Sequence, residues 1–370
     1  MATSEPVVTV LIINYNGSKY LPDCVGSVLK TSYPRMEILV VDNASTDDSL
    51  SILNEFTDSR LRVILNKANL GFAAGNNFGY SRSNGKYVVF LNNDTKVDPE
   101  WLTALVKAFE ADSSVGAAQS KLLSLHSPTP TFDSAGDFLD HFCASVCRAK
   151  GMPDHDQYNK MEEVFSGRGA ALMIKRDAVQ GYEPFDPDFF MQFEDVDLCW
   201  RLHLRGFKVV YVPASIVYHA GRGTPSEHRL YHGRKNVVQL FLKNYDFANI
   251  IRYFPESQLF RFLEILRDVK ANNWKAFKTK VSAYVWVSKN MRNILLKRSV
   301  IQMSRKVSDE AALKLMLKTS HRQYFGFMMK MAQVEENVEK RDLLQYWYFQ
   351  RASNAVFPVL GSRRSSTKWK

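Results

Sequence analysis

Asn14, Asn16 and Asp42 stand at or just beyond the ends of two apolar runs, VVTVLII (7–13) and MEILVVD (36–42). A carboxylate flanked by amides at such a place can accept hydrogen bonds from a flat nitrogenous ring or from ribose hydroxyls. The same stretch, VVDNASTD, also reads as a polar connection in which Ser45 or Asp47 caps the next helix. Asn92-Asn93-Asp94 closes another apolar run, KYVVFLNND (86–94). Mg²⁺ and Mn²⁺ want oxygen ligands and often take only one or two from protein, the rest from phosphates and water. Asp94 is the candidate ligand there, with a turn-forming role before Thr95 as the alternative. The densest cluster is FEDVDLCWR (193–201), which places Glu194, Asp195 and Asp197 at the start of a helical pattern. Acids suit a first turn, where the helix pole is positive. Three within four residues also repel one another, and a metal, a substrate or a shared proton would relieve that. His219, at the end of a long strand-like run in VYHAGRGT, is a candidate fellow ligand or proton carrier.

The elements that carry these residues follow from the apolar pattern. The runs 7–13, 36–42, 61–66 and 86–94 are apolar almost throughout rather than alternating, so both faces are covered. Helical stretches from about 18 to 30 and after Asp47 separate them, which implies parallel crossovers and a doubly wound α/β domain. In such sheets ligands sit beyond the carboxyl ends of the strands, where these polar clusters fall. Asp98-Pro99-Glu100 predicts a helix start with Asp98 as cap and Pro99 at the first position. From Leu122 to Phe165 the pattern weakens, and loops lining an acceptor site are expected. Regularity returns with SGRGAALMIKRDAV (166–179), a helix over 194–207 and a strand over 208–219. After Asn244 the texture is helical: Leu259, Phe262, Leu263, Leu266 and Val269 recur at helical spacing, as do Trp274, Phe277, Val281 and Val285.

The 370 residues carry a formal net charge of +11. Residues 1–244 hold 25 Lys and Arg against 28 Asp and Glu, whereas 245–370 hold 24 against 10, so the basicity belongs to the C-terminal third. That asymmetry points to an anionic surface as partner. No nucleic-acid-binding motif accompanies it, so a membrane is expected rather than nucleic acid. No run of 18 uncharged apolar residues occurs, so contact with a bilayer would be peripheral. Cys24, Cys143, Cys147 and Cys199 are too few for a disulfide scaffold, which suits a cytoplasmic setting. Cys143 and Cys147 would share a face if their stretch is helical, and His141 alone does not complete a metal site with them. NYNGSKYL follows the first strand where a dinucleotide-binding dehydrogenase needs G-x-G-x-x-G, which excludes that class.

Taken in order, VLIINYN, VVDNASTDDS, NLGFAAGNNFG (69–79), VVFLNNDT, SGRGAALMIKRDAV, FEDVDLCWRLHLRGF, VYHAGRGT and YHGRKN (231–236) resemble family 2 glycosyltransferases of the GT-A fold, in particular their rhamnosyltransferase-like branch. The resemblance implies a mostly parallel GT-A sheet over residues 1–244, while the spacing and charge beyond it predict a basic helical region over 245–360 and the polar end GSRRSSTKWK a disordered tail over 361–370. It implies an inverting, metal-dependent transferase acting on a UDP-sugar or dTDP-rhamnose and on a hydroxyl of a glycan or lipid-linked acceptor. Asn14, Asn16, Asp42, Asn76, Asn92 and Asn93 would then meet the nucleotide, and Asp94 with His219 would hold Mg²⁺ or Mn²⁺. Asn92 departs from the family's pattern, which has aspartate there. Asp195 would be the base with Glu194 beside it, and Arg234 and Asn236 would approach the diphosphate or the acceptor. The alternative is an inactive nucleotide-sugar-binding or regulatory module at a membrane.

Overall fold

The computed structural model describes residues 6–221 and 226–331, and beyond them residues 340, 342, 344, 345, 348, 349 and 352. The expected tail, 361–370, lies outside the described residues. The chain opens with β1 (Val8–Asn14), α1 (Leu21–Leu29), β2 (Met36–Asp42), α2 (Ser49–Asn54), β3 (Leu61–Leu65), α3 (Gly71–Tyr80) and β4 (Tyr87–Asn92). Then come β5 (Thr95–Val97), α4 (Trp101–Ala111), β6 (Val115–Ser124), β7 (Phe132–Ser134), β8 (Asp137–Leu139), β9 (Ser145–Cys147) and β10 (Glu162–Glu163). β11 (Ala171–Lys175), α5 (Glu194–Leu204) and β12 (Lys208–His219) complete the sheet layer.

The main sheet runs β10-β12-β6-β11-β4-β1-β2-β3, with β5 and β7 attached at its edge. β1 through β4 are parallel, β11 is antiparallel to both neighbours, and β12 is again parallel to β6. The reason for the unbroken apolar runs is visible in β1. Leu11 and Ile13 join the core on one face of the sheet, while Val8, Val10 and Ile12 join the core on the other. Residues alternate between two buried sides, so neither side can be polar.

Two local expectations are corrected. α4 begins at Trp101, because the Asp98 carboxylate accepts the Glu100 N–H (3.0 Å) and closes a turn ahead of the helix. Pro99 therefore sits in that turn rather than inside the helix. The stretch 122–165 is not a set of surface loops. It contributes β7, β8, β9 and β10, and Phe132, Phe138, Phe142 and Phe165 are buried in the core. Its polar, proline-bearing composition hides short strands whose few aromatics do the packing. Cys147 lies on β9, so the two thiols share no helix face, and all four cysteines are buried and free.

The C-terminal helices are α6 (Ser226–Asn244), α7 (Phe247–Lys270), α8 (Trp274–Lys289), α9 (Met291–Ser304), α10 (Asp309–Leu313) and α11 (His321–Met331). Leu240, Phe241 and Tyr245 at the end of α6, and Met316, Leu317 and Tyr324 further on, belong to the same core as β1 and β4. The helices thus share a core with the sheet. α7 has an inverted face. Leu259, Phe262, Leu263 and Leu266, which recur at helical spacing, are exposed, whereas Ser257, Arg261, Glu264 and Asp268 are buried.

Candidate active site

Adjacent strand ends bring the first cluster together. Asn14 and Asp42 are register partners on β1 and β2. The buried Asn14 donates to Asp42 (2.8 Å) and accepts from Asn93 (2.6 Å), so its amide ties three strand ends into one unit. Asp42 also receives the Ser45 N–H (2.9 Å) and hydroxyl (2.7 Å). Asn16 is exposed with φ of 51° and its Oδ1 accepts the Thr46 N–H (2.8 Å). Gly17 follows because a Cβ there would lie 2.0 Å from Asn93 Nδ2 and 2.2 Å from Asn14 Oδ1. Asn76 is elsewhere: it is fully buried in α3 and donates to the Phe72 carbonyl of its own helix (2.9 Å). Its Oδ1 is buried without a hydrogen-bond partner.

Asp94 and His219 meet as expected of fellow ligands. β5 pairs with β12 at Thr95 and His219, which brings His219 Nε2 to 3.2 Å from Asp94 Oδ1. The other Asp94 oxygen accepts the Gly221 N–H (3.1 Å). His219 Nδ1 lies 2.9 Å from Asp133, which in turn pairs with Lys150 (2.7 Å) and Arg168 (3.0 Å). Burial pulls the His219 pKa down, but Asp133 and Asp94 outweigh it and raise it to about 9. Burial likewise pushes Asp133 up, yet Arg168 and Lys150 hold it well below the ordinary carboxylate range. Without a metal the ring thus holds protons on both nitrogens, and an ion bound at Nε2 would displace the proton shared with Asp94 while Nδ1–H to Asp133 keeps the ring oriented. Among the described residues no group of three or more His, Cys, Asp or Glu is arranged to hold a metal ion by itself. The residues nevertheless fit a divalent ion that takes two ligands here and the rest from phosphate and water, and Asn92 Oδ1 is a further buried oxygen without a partner.

The acidic cluster resolves into three different roles. Asp197 is fully buried and held by Arg201 (2.9 Å), Lys243 (3.0 Å) and Asn244 (3.0 Å), so it is structural. Asp195 is partly exposed and accepts the Gly169 N–H (2.9 Å) and the Val196 N–H (2.8 Å). Burial raises the Asp195 pKa, against the pull of the Gly169 N–H. Glu194 is buried, its Oε2 has no partner, and burial followed by the charge of Asp195 pushes it well above the usual value. Burial thus pushes both acids of the pair upward, Glu194 well above the ordinary carboxylate range.

The turn ahead of α5 is strained. Phe190, Gln192 and Phe193 have φ of 62°, 66° and 67°, a region costly for side chains of this size. It persists because it is pinned from both sides. The Phe190 carbonyl accepts from Phe72 N (2.7 Å) and Ala73 N (3.1 Å), and Asn236 Nδ2 donates to the carbonyls of Phe189, Met191 and Gln192. Asn236 is thus spent on backbone and buried, which corrects its expected contact with diphosphate or acceptor. Arg234 pairs with Glu264 inside the helical region and shares no contact with the Asn14–Asp42 cluster.

Asp133, Lys150, Arg168 and Gly169 are the functional positions that sequence reasoning missed. Arg168 and Gly169 lay in a stretch already singled out, SGRGAAL, but nothing in it shows that Arg168 turns toward Asp133. Asp133 sits in a proline-bearing segment without periodicity, and only the fold brings it to His219.

Residues 9–169 match the family model Glycosyl transferase family 2. The chain is 33% identical over 227 residues to glycosyltransferase GlyA of Streptococcus pneumoniae, covering 59% of this chain and 31% of that protein. It spans between 28% and 39% of the length of four curated relatives that it matches. Among solved structures, GalNAc-T7 with UDP, GalNAc and Mn²⁺ superposes with a TM-score of 0.54 at 19% identity, over 69% of this chain and 52% of that one. The mannosyltransferase PcManGT of Pyrobaculum calidifontis, with GDP-Man and Mn²⁺, gives 0.51 at 17% identity over 96% and 88%. The fold is GT-A-like, a mostly parallel mixed sheet with flanking helices and a helical C-terminal region.

Proposed function

We propose that the protein transfers a sugar from a nucleotide-diphosphate donor to an acceptor hydroxyl by one inverting displacement. The observation that supports this most is the joining of two chemistries at the start of β11. Gly169 N–H fixes the Asp195 carboxylate, and the next residue's carbonyl, Ala170, accepts the Asn92 N–H (3.1 Å) beside Asp94. A base and a candidate metal pair therefore flank one strand end. Asp42 and Asn14 hold the nucleoside end of the donor. Asp195 takes the proton of the acceptor hydroxyl as that oxygen bonds to the anomeric carbon, whose bond to the diphosphate oxygen breaks. A divalent ion, when bound by Asp94 and His219, neutralises charge gathering on the leaving diphosphate. UDP-sugars are the first donors to test and dTDP-rhamnose the next. Thermal shift with each donor, with and without Mn²⁺, followed by transfer assays, tests the reading, since a ligand of the native state raises the melting temperature. Donor binding without transfer or hydrolysis would leave a binding module instead.

We propose further that α7 and α8 rest on an anionic bilayer carrying the acceptor, at its cytoplasmic face. Leu259, Phe262, Leu263 and Leu266 of α7 and Trp274, Val281 and Val285 of α8 are exposed. On α7–α9 every exposed charge is positive: Arg252, Lys270, Lys275, Lys278, Lys289 and Arg292. Glu264 and Asp268 are buried, and Glu256 is half-buried. Apolar rows rimmed by cations suit the headgroup boundary of an acidic membrane. No helix among the described residues is long and apolar enough to cross one. Flotation with phosphatidylglycerol vesicles but not phosphatidylcholine vesicles is expected, and equal behaviour with both would remove the claim.

A further inference from the structure

A cavity of about 310 Å³ lies where α6, α7, α8 and α11 meet the turn before α5. Its lining includes Arg229, Arg234, Arg261, Arg267 and Lys280, with Glu264 as its acid. Arg229 is itself engaged and is set aside. Of the rest, Glu264 pairs with Arg234, and Asp268 behind the wall pairs with Lys280 (2.7 Å) and reaches Arg267 (3.9 Å). Among the described residues, Arg234, Arg261, Arg267 and Lys280 thus face Glu264 and Asp268, with Asp140 also acting on Arg261, so cations outnumber acids at this half-open cavity. Arg234 is only 6% exposed, and its Nη1 and that of Arg267 are buried without a hydrogen-bond partner. Unpartnered buried donors of this kind are costly unless something fills their place.

We infer that this cavity binds a phosphoryl group of the acceptor. Guanidinium groups present paired N–H donors that match phosphate oxygens, and an excess of cations suits an anion. The position supports the acceptor as its source. Gln192 and Phe193, which also line the cavity, directly precede Glu194 and Asp195. None of Asn14, Asp42, Asp94 and His219 lines it. A phosphorylated acceptor held there would present its hydroxyl toward the α5 N-terminus. The acceptor assignment rests on Asp195 being the base, whereas the phosphate site itself does not.

Inorganic phosphate titrated calorimetrically into the full chain, already saturated with UDP and Mg²⁺, tests it. Binding should persist beside UDP and weaken about tenfold or more in Arg267→Gln, with UDP affinity unchanged, as expected for losing a charged hydrogen bond. Arg267 is partly exposed, so this variant should fold, and Arg267→Lys should recover part of the loss. The double variant Arg234→Gln/Glu264→Gln removes the buried pair together and should behave likewise. Decyl phosphate in place of inorganic phosphate separates the sources: tighter binding assigns a lipid-linked acceptor, equal binding a soluble phosphorylated one, and both support the site. Displacement of phosphate by UDP, or wild-type binding in both variants, overturns the inference. A missing transfer activity would sink the transferase reading and leave the phosphate titration standing.

Discussion

At the carboxyl ends of β1, β2 and β4 the polar groups are largely committed to protein: Asn14 to Asp42 and Asn93, Asp42 to Ser45, His219 to Asp133 and Asp94. Around the start of α5 and the cavity beside it, Glu194 Oε2, Arg234 Nη1 and Arg267 Nη1 are buried and have nothing to bond. The first region is set in advance. The second carries a deficit that an incoming group would make good. A site of the first kind orients what it binds, while one of the second kind gains most of its satisfaction from the ligand. The contrast supports the proposed placing of the donor at the strand ends and the acceptor on the helical side.

The largest effect is expected at the junction of the two. Asp195→Asn keeps the shape and can still meet the Gly169 N–H, but it cannot take a proton. Transfer should fall by about 10²-fold or more, the usual scale for losing a base. Donor affinity and melting temperature should stay near the wild-type values. Near-normal turnover in Asp195→Asn together with a dead Glu194→Gln would move the base to Glu194, and activity in both would reduce the cluster to a helix cap.

Next in size is the fixed side of the comparison. Asp133→Asn should weaken Mn²⁺ binding by about 10–100-fold, the range seen when a histidine ligand loses its carboxylate partner. Electron paramagnetic resonance of free Mn²⁺ reads this without any turnover. Asp133 also neutralises Lys150 and Arg168, so the melting temperature should fall too. A fall in melting temperature with unchanged Mn²⁺ affinity would leave Asp133 as scaffold only.

The first four strands and the three polar clusters were legible because strands covered on both faces are apolar at every position and end abruptly. β2 and β12 occupy the residues that pattern names, 36–42 and 208–219. Asp133 was not legible, since it meets His219 across 86 residues from β7, a strand of three residues. The inward face of α7 was not legible either. Helical spacing tells which residues share a face but not which face turns inward, and here Arg234 and Lys280 supply partners that let Glu264 and Asp268 go in. Asn236 reads as a ligand in sequence because a polar residue in a motif looks available, whereas the structure spends its amide on three carbonyls.

That clamp gives a smaller, mainly structural effect. Asn236→Ala removes the donor to three buried carbonyls and should cost about 1–3 kcal/mol. The strained turn should then relax, so turnover falls more than donor affinity. Chemical denaturation with a parallel transfer assay checks both, and a variant as stable and as active as wild type would detach the turn from the base it carries.

The smallest effect tests which acid of the pair holds the proton. Glu194 has a folded pKa well above that of an unfolded glutamate, because burial disfavours its charge and Asp195 adds to that. Between the two values the folded protein binds a proton that the unfolded chain has released. Stability from this group therefore falls as pH rises through that window, by at most about 1.4 kcal/mol per pH unit. Asp133, with its pKa lowered, has the opposite sign, and its contribution is lost only as the pH falls through the acidic range. Glu194→Gln cannot ionise, so its stability should lose that slope. The melting temperature of the variant, compared with wild type from pH 5 to pH 8, should rise in relative terms as the pH increases. Parallel curves would mean that Glu194 is ionised in the folded protein. That outcome would remove Glu194 as the protonated member of the pair.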